Sequence, residues 1–148
     1  MKIILLFLAS ISIVNNALSL SVENDMQSIE VQGIPSDVVF RTDVSPKLFD
    51  AIYDYSYFTK HPAPNFLLKI NDLVCNIQKN DSKLNDPRRI FFDCRWKIII
   101  NKINDNLKQQ DIYYINAFSD KMLHNGLIYT ILNNEGSAFV KYMEEKFK

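Results

Sequence analysis

The stretch DPRRIFFDCRWKIIINKINDNL, residues 86–107, sets the expectation for the whole fold. Asp86 followed by Pro87 reads as a helix start, because an aspartate side chain satisfies an orphan amide and proline at the first helical position gives up no hydrogen bond. Behind it Phe92, Trp96, Ile99, Ile103 and Leu107 recur at three- and four-residue intervals. That spacing places them on one face of a helix, so the segment predicts a helix over 87–107 with these five residues at the centre of the core.

Working outward, Ser45-Pro46 repeats the cap-and-proline signal and predicts a helix over 46–58 that buries Phe49, Ile52 and Tyr53. Tyr53, Tyr55 and Tyr57 alternate with Asp54 and Ser56, which is also a strand pattern; the cap and the length favour the helix. Two prolines in His61-Pro62-Ala63-Pro64 break the chain, and Phe66, Ile70, Leu73, Val74 and Ile77 then predict a helix over 65–79. Further helices are expected from Ile112, Ile115, Phe118, Met122 and Leu123, ended by His124-Asn125-Gly126, and from residues 127–132 and 135–147, where Phe139, Val140, Met143 and Phe147 share one side. Three glycines in the chain argue against a fold built from tight turns. The expected fold class is therefore all-α: a small bundle of about five helices over 45–148, preceded by an irregular arm over 20–44 in which Gly33 and Pro35 interrupt any pattern, with a short strand near Ser28 and Val31 or near Val38 and Arg41 as the alternative there.

Residues 1–19 have the layout of a secretory signal peptide. Lys2 provides the positive start, an apolar run follows over 3–14, and Ala17-Leu18-Ser19 offers small residues at the cleavage positions. The run is too short for the roughly twenty apolar residues of a membrane span, and no later segment is long and uncharged enough to span. Cleavage after Ser19 leaves about 129 residues, enough for one domain with one core, and removes one of the 17 basic residues but none of the 17 acidic ones. A mature charge near −1 lacks the basic excess of a nucleic-acid-binding domain. The expected location is extracellular.

In an oxidising route the cysteine pair Cys75 and Cys94 is expected to form one disulfide, which would stabilise by roughly 3 kcal/mol in the loop-entropy account. Asn80-Asp81-Ser82 is an N-glycosylation sequon and marks Asn80 as a surface position if used.

The chain carries no nucleophile elbow, no phosphate-cradling glycine loop, no metalloprotease histidine pair and no calcium loop, so no catalytic residue, metal ligand or cofactor is assigned. His61 and His124 are the only histidines, the side-chain type suited to general acid–base work, but have no partner at a recognisable spacing; one reads as a loop residue and the other as the last turn of a helix. Arg88 and Arg89 lie in a first helical turn, where positive charge is disfavoured, and read as surface contacts. Tyr53, Tyr55, Tyr57 and Phe58 are more rings than one helix face buries, and exposed aromatics anchor interfaces. These six residues are the expected interface of a secreted, effector-like or cytokine-like module that binds a target protein. The alternative function is an extracellular carrier for a small apolar ligand, lined by Phe92, Trp96, Ile99, Phe118 and Met122.

Overall fold

The protein is a seven-stranded antiparallel sheet with three short helices, seen in a computed structural model that describes residues 26–83, 92–104 and 107–147. The elements are β1 (Met26–Gly33), α1 (Pro46–Ile52), β2 (Tyr55–Thr59), α2 (Pro64–Cys75), β3 (Ile77–Lys83), β4 (Cys94–Asn104), β5 (Leu107–Asn116), β6 (Lys121–His124), β7 (Leu127–Ile131) and α3 (Glu135–Lys146). The strand order is β2-β1-β4-β5-β6-β7-β3, with every neighbouring pair antiparallel. The all-α expectation is overturned, and the segment that carried it is the longest strand.

The reason lies in what β4 buries. Trp96, Ile98 and Ile100 point to one face, while Cys94, Lys97 and Ile99 point to the other, and all six are buried. A strand covered on both faces loses the apolar–polar alternation that identifies a half-buried strand, and β-branched isoleucines suit the pleated surface better than a helix. The helical spacing of Phe92, Trp96, Ile99, Ile103 and Leu107 is thus arithmetic without a shared face. Phe92 precedes the strand, Trp96 and Ile99 face opposite ways, and Ile103 and Leu107 are 39% and 73% exposed.

The region expected as an irregular arm supplies β1, which lies between β2 and β4 and pairs with both. Its Ile29 and Val31 are fully buried. The one helix expected through Ile112, Ile115, Phe118, Met122 and Leu123 is instead two strands joined by a turn, and the helical segment expected over 127–132 is β7. Ile112 and Ile115 belong to β5, and Met122 and Leu123 to β6, which turns into β7 at Asn125-Gly126. Positive φ at both residues, 51° and 74°, with only two residues between the strands, is the geometry of a tight hairpin turn, so the glycine closes a hairpin where it was expected to cap a helix. Other left-handed positions are filled by Ser119, Asn133 and Asn134, which is how the sheet turns with so few glycines.

Helices form where caps and local contacts agree. Ser45 Oγ accepts a hydrogen bond from the Leu48 amide at 3.2 Å and starts α1, which stops at Ile52. The alternation then continues as β2, with Tyr55 and Tyr57 half-buried and Ser56 and Phe58 exposed. α2 and α3 cover one sheet face: Phe66, Ile70, Leu73, Phe139 and Met143 pack on Ile29, Val31, Trp96, Ile98, Ile115 and Met122. On the other face α1 and the chain before it bring Phe49, Val44 and Ile34 onto Cys94, Leu123 and Ile128.

This layering explains why the expected disulfide is absent. Cys75 is an exposed free thiol at the end of α2, on one side of the sheet, and Cys94 is a free thiol in the core of the opposite side. The bridge required two facing helices, and one of them is a strand. The signal-peptide segment and Arg88 and Arg89 fall outside the described residues, as does the side chain of Asn80, whose backbone belongs to edge strand β3.

Candidate functional site

One end of the sheet carries a cleft built by three elements around Trp96. Its first wall is the 34–44 connection between β1 and α1, which is stitched to the start of β4 at both ends: the Ile34 amide donates to the Arg95 carbonyl at 2.9 Å, and the Cys94 amide to the Val44 carbonyl at 2.8 Å. Arg95 clamps the middle of this loop. Its guanidinium donates to the Val38 carbonyl at 2.8 Å and to Asp93 Oδ2 at 3.0 and 3.2 Å, and it lies 4.9 Å from the Phe40 ring centroid. Asp93 in turn accepts from the Val44 amide at 2.8 Å, so one charge pair fixes both the strand start and the loop.

The second wall is the turn after β5. Asn116 is buried, and its side chain accepts from the amides of Asp120 and Lys121 at 3.1 and 2.9 Å while donating to Asp120 Oδ1 at 2.7 Å. The Ala117 amide reaches the Asp93 carbonyl at 2.9 Å. The turn is therefore bonded from within and to β4. Val140 of α3 closes the third side, and Gly136 brings that helix so near that a Cβ there would overlap the Ser119 carbonyl. At the floor Trp96 lies under Gly33, where an added Cβ would come within 2.5 Å of the indole ring.

The cleft holds about 190 Å³ and is lined by Ile34, Val38, Val39, Trp96, Ala117 and Val140 together with Ser36, Arg95 and Ser119. Val39, which lines it, is 89% exposed, and Phe118, in the turn between the lining residues Ala117 and Ser119, is 83% exposed; these are the two most exposed large apolar side chains described. Phe118 is not on a frayed end. It projects from the Asn116-bonded turn, between two cleft-lining residues.

The four described residues of the expected interface, Tyr53, Tyr55, Tyr57 and Phe58, do not share one face. Tyr53 follows α1 and stacks on Phe49 at 6.0 Å, on one face of the sheet. Tyr55 and Tyr57 turn to the opposite face, where Tyr55 stacks on Phe147 at 4.4 Å and Tyr57 meets Phe66 edge-on at 5.4 Å. Phe58 is 54% exposed on the side away from those two. The five residues expected to surround an apolar ligand are likewise divided: Phe92, Trp96, Ile99 and Met122 are core residues shared between the two sheet faces, and Phe118 is at the surface. The cleft was missed because Phe118 was counted as helix interior and Val39 as part of an arm. The available signal was Asn116-Ala117-Phe118-Ser119-Asp120, a ring flanked by turn-forming residues.

His61 lies in the exposed loop before α2, its amide bonded to Thr59 Oγ1 at 3.2 Å. His124 closes β6; its Nδ1 donates to the Ile112 carbonyl at 2.8 Å, leaving Nε2 to accept from Asn125 at 3.0 Å, and its ring stacks on Tyr113 at 4.2 Å. Burial, followed by the charge of Asp111, pushes the Tyr113 hydroxyl up to about 12. On the α1 face Lys97 is buried with its Nζ 2.7 Å from Asp50 Oδ1 and 5.4 Å from the Tyr114 ring centroid. Burial pulls that ammonium down, but the hydrogen bond to Asp50 and the Tyr114 hydroxyl outweigh it and hold its pKa above the ordinary lysine value. The His124 ring and the Lys97 ammonium are thus both engaged in contacts within the sheet and its cover. Among the described residues no three His, Cys, Asp or Glu side chains are grouped to hold a metal ion, and no helix is long and apolar enough to cross a membrane.

The chain matches no protein-family description, and neither a curated protein nor a solved structure is significantly similar to it.

Proposed function

We propose that this is a secreted protein that acts by binding a target protein, and that the partner engages the cleft between Val39 and Phe118. The observation that carries this reading is Phe118: an almost fully exposed phenylalanine held outward by a turn whose polar groups are satisfied. Leaving such a ring in water forgoes roughly 1.5–3 kcal/mol of burial free energy. A partner surface that covers it recovers that energy, and aromatic anchors beside a pocket are the usual centre of a binding interface. The cleft's size fits the same reading. At about 190 Å³ it accommodates a partner's side chain, whereas pockets that enclose a small organic ligand run from about 300 Å³ upward. Delivery by the residue 1–19 signal is the remaining part of the proposal.

The test is a comparison of the wild-type chain with Val39→Ser/Phe118→Ser in capture from secretory-pathway or extracellular fractions. Both positions are solvent-exposed, so the double variant should keep its melting temperature. A protein retained by the wild type and lost from the double variant supports the proposal. A partner held equally by both places the interface elsewhere, and a mature mass that does not begin at Leu20 removes the secretion reading.

A further inference from the structure

Away from the cleft, three rings from three different elements surround one ammonium group. Lys146 Nζ lies 5.0 Å from the Tyr57 ring centroid, 5.1 Å from that of Tyr142 and 5.9 Å from that of Phe66. Tyr57 comes from β2, Phe66 from the first turn of α2 and Tyr142 from α3. The rings are fixed by one another as well as by the core: Tyr57 meets Phe66 at 83° with centroids 5.4 Å apart, and Phe66 stacks on Tyr142 at 16° and 6.1 Å. Phe66 is fully buried, and both tyrosines pack against the main core cluster.

The cation is held differently from the rings. Lys146 is exposed, it is the last residue of the last helix, and among the described residues no carboxylate pairs with it. Its partners are aromatic faces, which attract positive charge through the ring quadrupole. Helix ends fray at small cost, so the occupant is the removable part of an otherwise prebuilt box. A quaternary ammonium has no N–H to satisfy and is the cation that aromatic cages recognise best.

We propose that Tyr57, Phe66 and Tyr142 form a binding site for a quaternary ammonium group, as in choline or trimethyl-lysine, and that Lys146 occupies it in the free protein as a built-in competitor. The lysine sets a threshold. A ligand enters only by displacing it, so removing the side chain raises affinity, and removing a ring lowers it.

The experiment titrates the full mature chain with tetramethylammonium and with choline, read by calorimetry and by tyrosine ring shifts in proton spectra. The uncharged choline isostere 3,3-dimethylbutan-1-ol serves as the control. Lys146→Ala is expected to bind both cations roughly tenfold more tightly than the wild type, and Lys146→Ala/Tyr142→Ala to lose that gain, while the isostere binds neither. Tyr57→Leu in the Lys146→Ala background gives the same answer if the Tyr142 variant is unfolded. Absence of saturable binding in Lys146→Ala overturns the proposal, as does binding that survives both ring substitutions or that the isostere reproduces.

Discussion

Thiol chemistry separates the sheet fold from a helical bundle in one experiment. The protein is treated at pH 8 with a chromogenic disulfide reagent, first folded and then in denaturant. Cys75 is exposed and Cys94 is fully buried, and burial together with the neighbouring Asp93 and Asp50 charges pushes the Cys94 thiol from 9.0 up to about 12. A thiol of pKa 9.0 is about one-tenth ionised at pH 8, while one near 12 is ionised at about one part in ten thousand. Thiolate is the reacting species, so ionisation alone slows Cys94 by about a thousandfold, and occlusion by the core adds to that. One thiol per chain should react promptly, and the second only at the rate of unfolding. Cys75→Ser should abolish the fast phase, while Cys94→Ser should leave it unchanged. No thiols before reduction would restore the disulfide, and two fast thiols would show that Cys94 is not in a core; either refutes the packing described above.

Other consequences can be measured on the same protein. The raised Cys94 and Tyr113 pKa values mean that the folded state holds these protons more tightly than the unfolded chain. Their contribution is complete below about pH 9 and is lost as pH climbs towards about 12, and for Cys94 alone it is worth up to about 4 kcal/mol. Urea midpoints should therefore fall between pH 9 and 11, and a flat profile would contradict the burial of both groups. Asp50→Ala strands the buried Lys97 ammonium; because the Asp50 side chain is 46% exposed and water can partly replace it, the expected loss is about 1–2 kcal/mol, less than the 3–5 of a fully buried pair. Lys97→Met in that background should recover most of it, and no recovery would mean that the charge is not what α1 answers. Gly136→Ala should lower stability by about 3 kcal/mol in urea unfolding, because the new methyl group meets a backbone oxygen that the Asn116 network holds in place.

What the residues disclosed and what they concealed follow from locality. The helix starts at Ser45-Pro46 and near Pro64, and the apolar stripe of α3, are decided by neighbours a few positions away, and they stand where local rules put them, although α1 and α2 are both shorter than expected and Ile77 begins β3 instead of extending α2. β4 is decided by partners far along the chain. Ile98, Ile99 and Ile100 are buried on both sides only because β1 and β5 flank them and helices cover each face, so the segment carries no period-two signature. Lys97 adds to the concealment: it reads as a solvent-facing residue, yet Asp50, 47 positions earlier, makes its burial tolerable. Asn125-Gly126 is legible as a hairpin turn when the segments beside it are strands, but after a helical segment the same pair is equally a left-handed helix cap. The cleft depends on the same long-range layout. Val39 and Phe118 lie far apart in sequence, and only the pairing of β1 with β4 and of β4 with β5 brings their loops to one end of the sheet.

The pairing of β1 with β4 also has a cost in time. Ile29 is matched with Ile100, and Val31 with Ile98. At synthesis rates of roughly 5–20 residues per second, β1 waits several seconds for the neighbour that completes it. During that interval β2 is its only strand neighbour and α2 the only helix made that packs on its Ile29 and Val31, and a two-stranded ribbon is marginal alone. A sheet closed by such distant contacts folds slowly, so the nascent chain depends on whatever protects unpaired strands in the compartment where it is made.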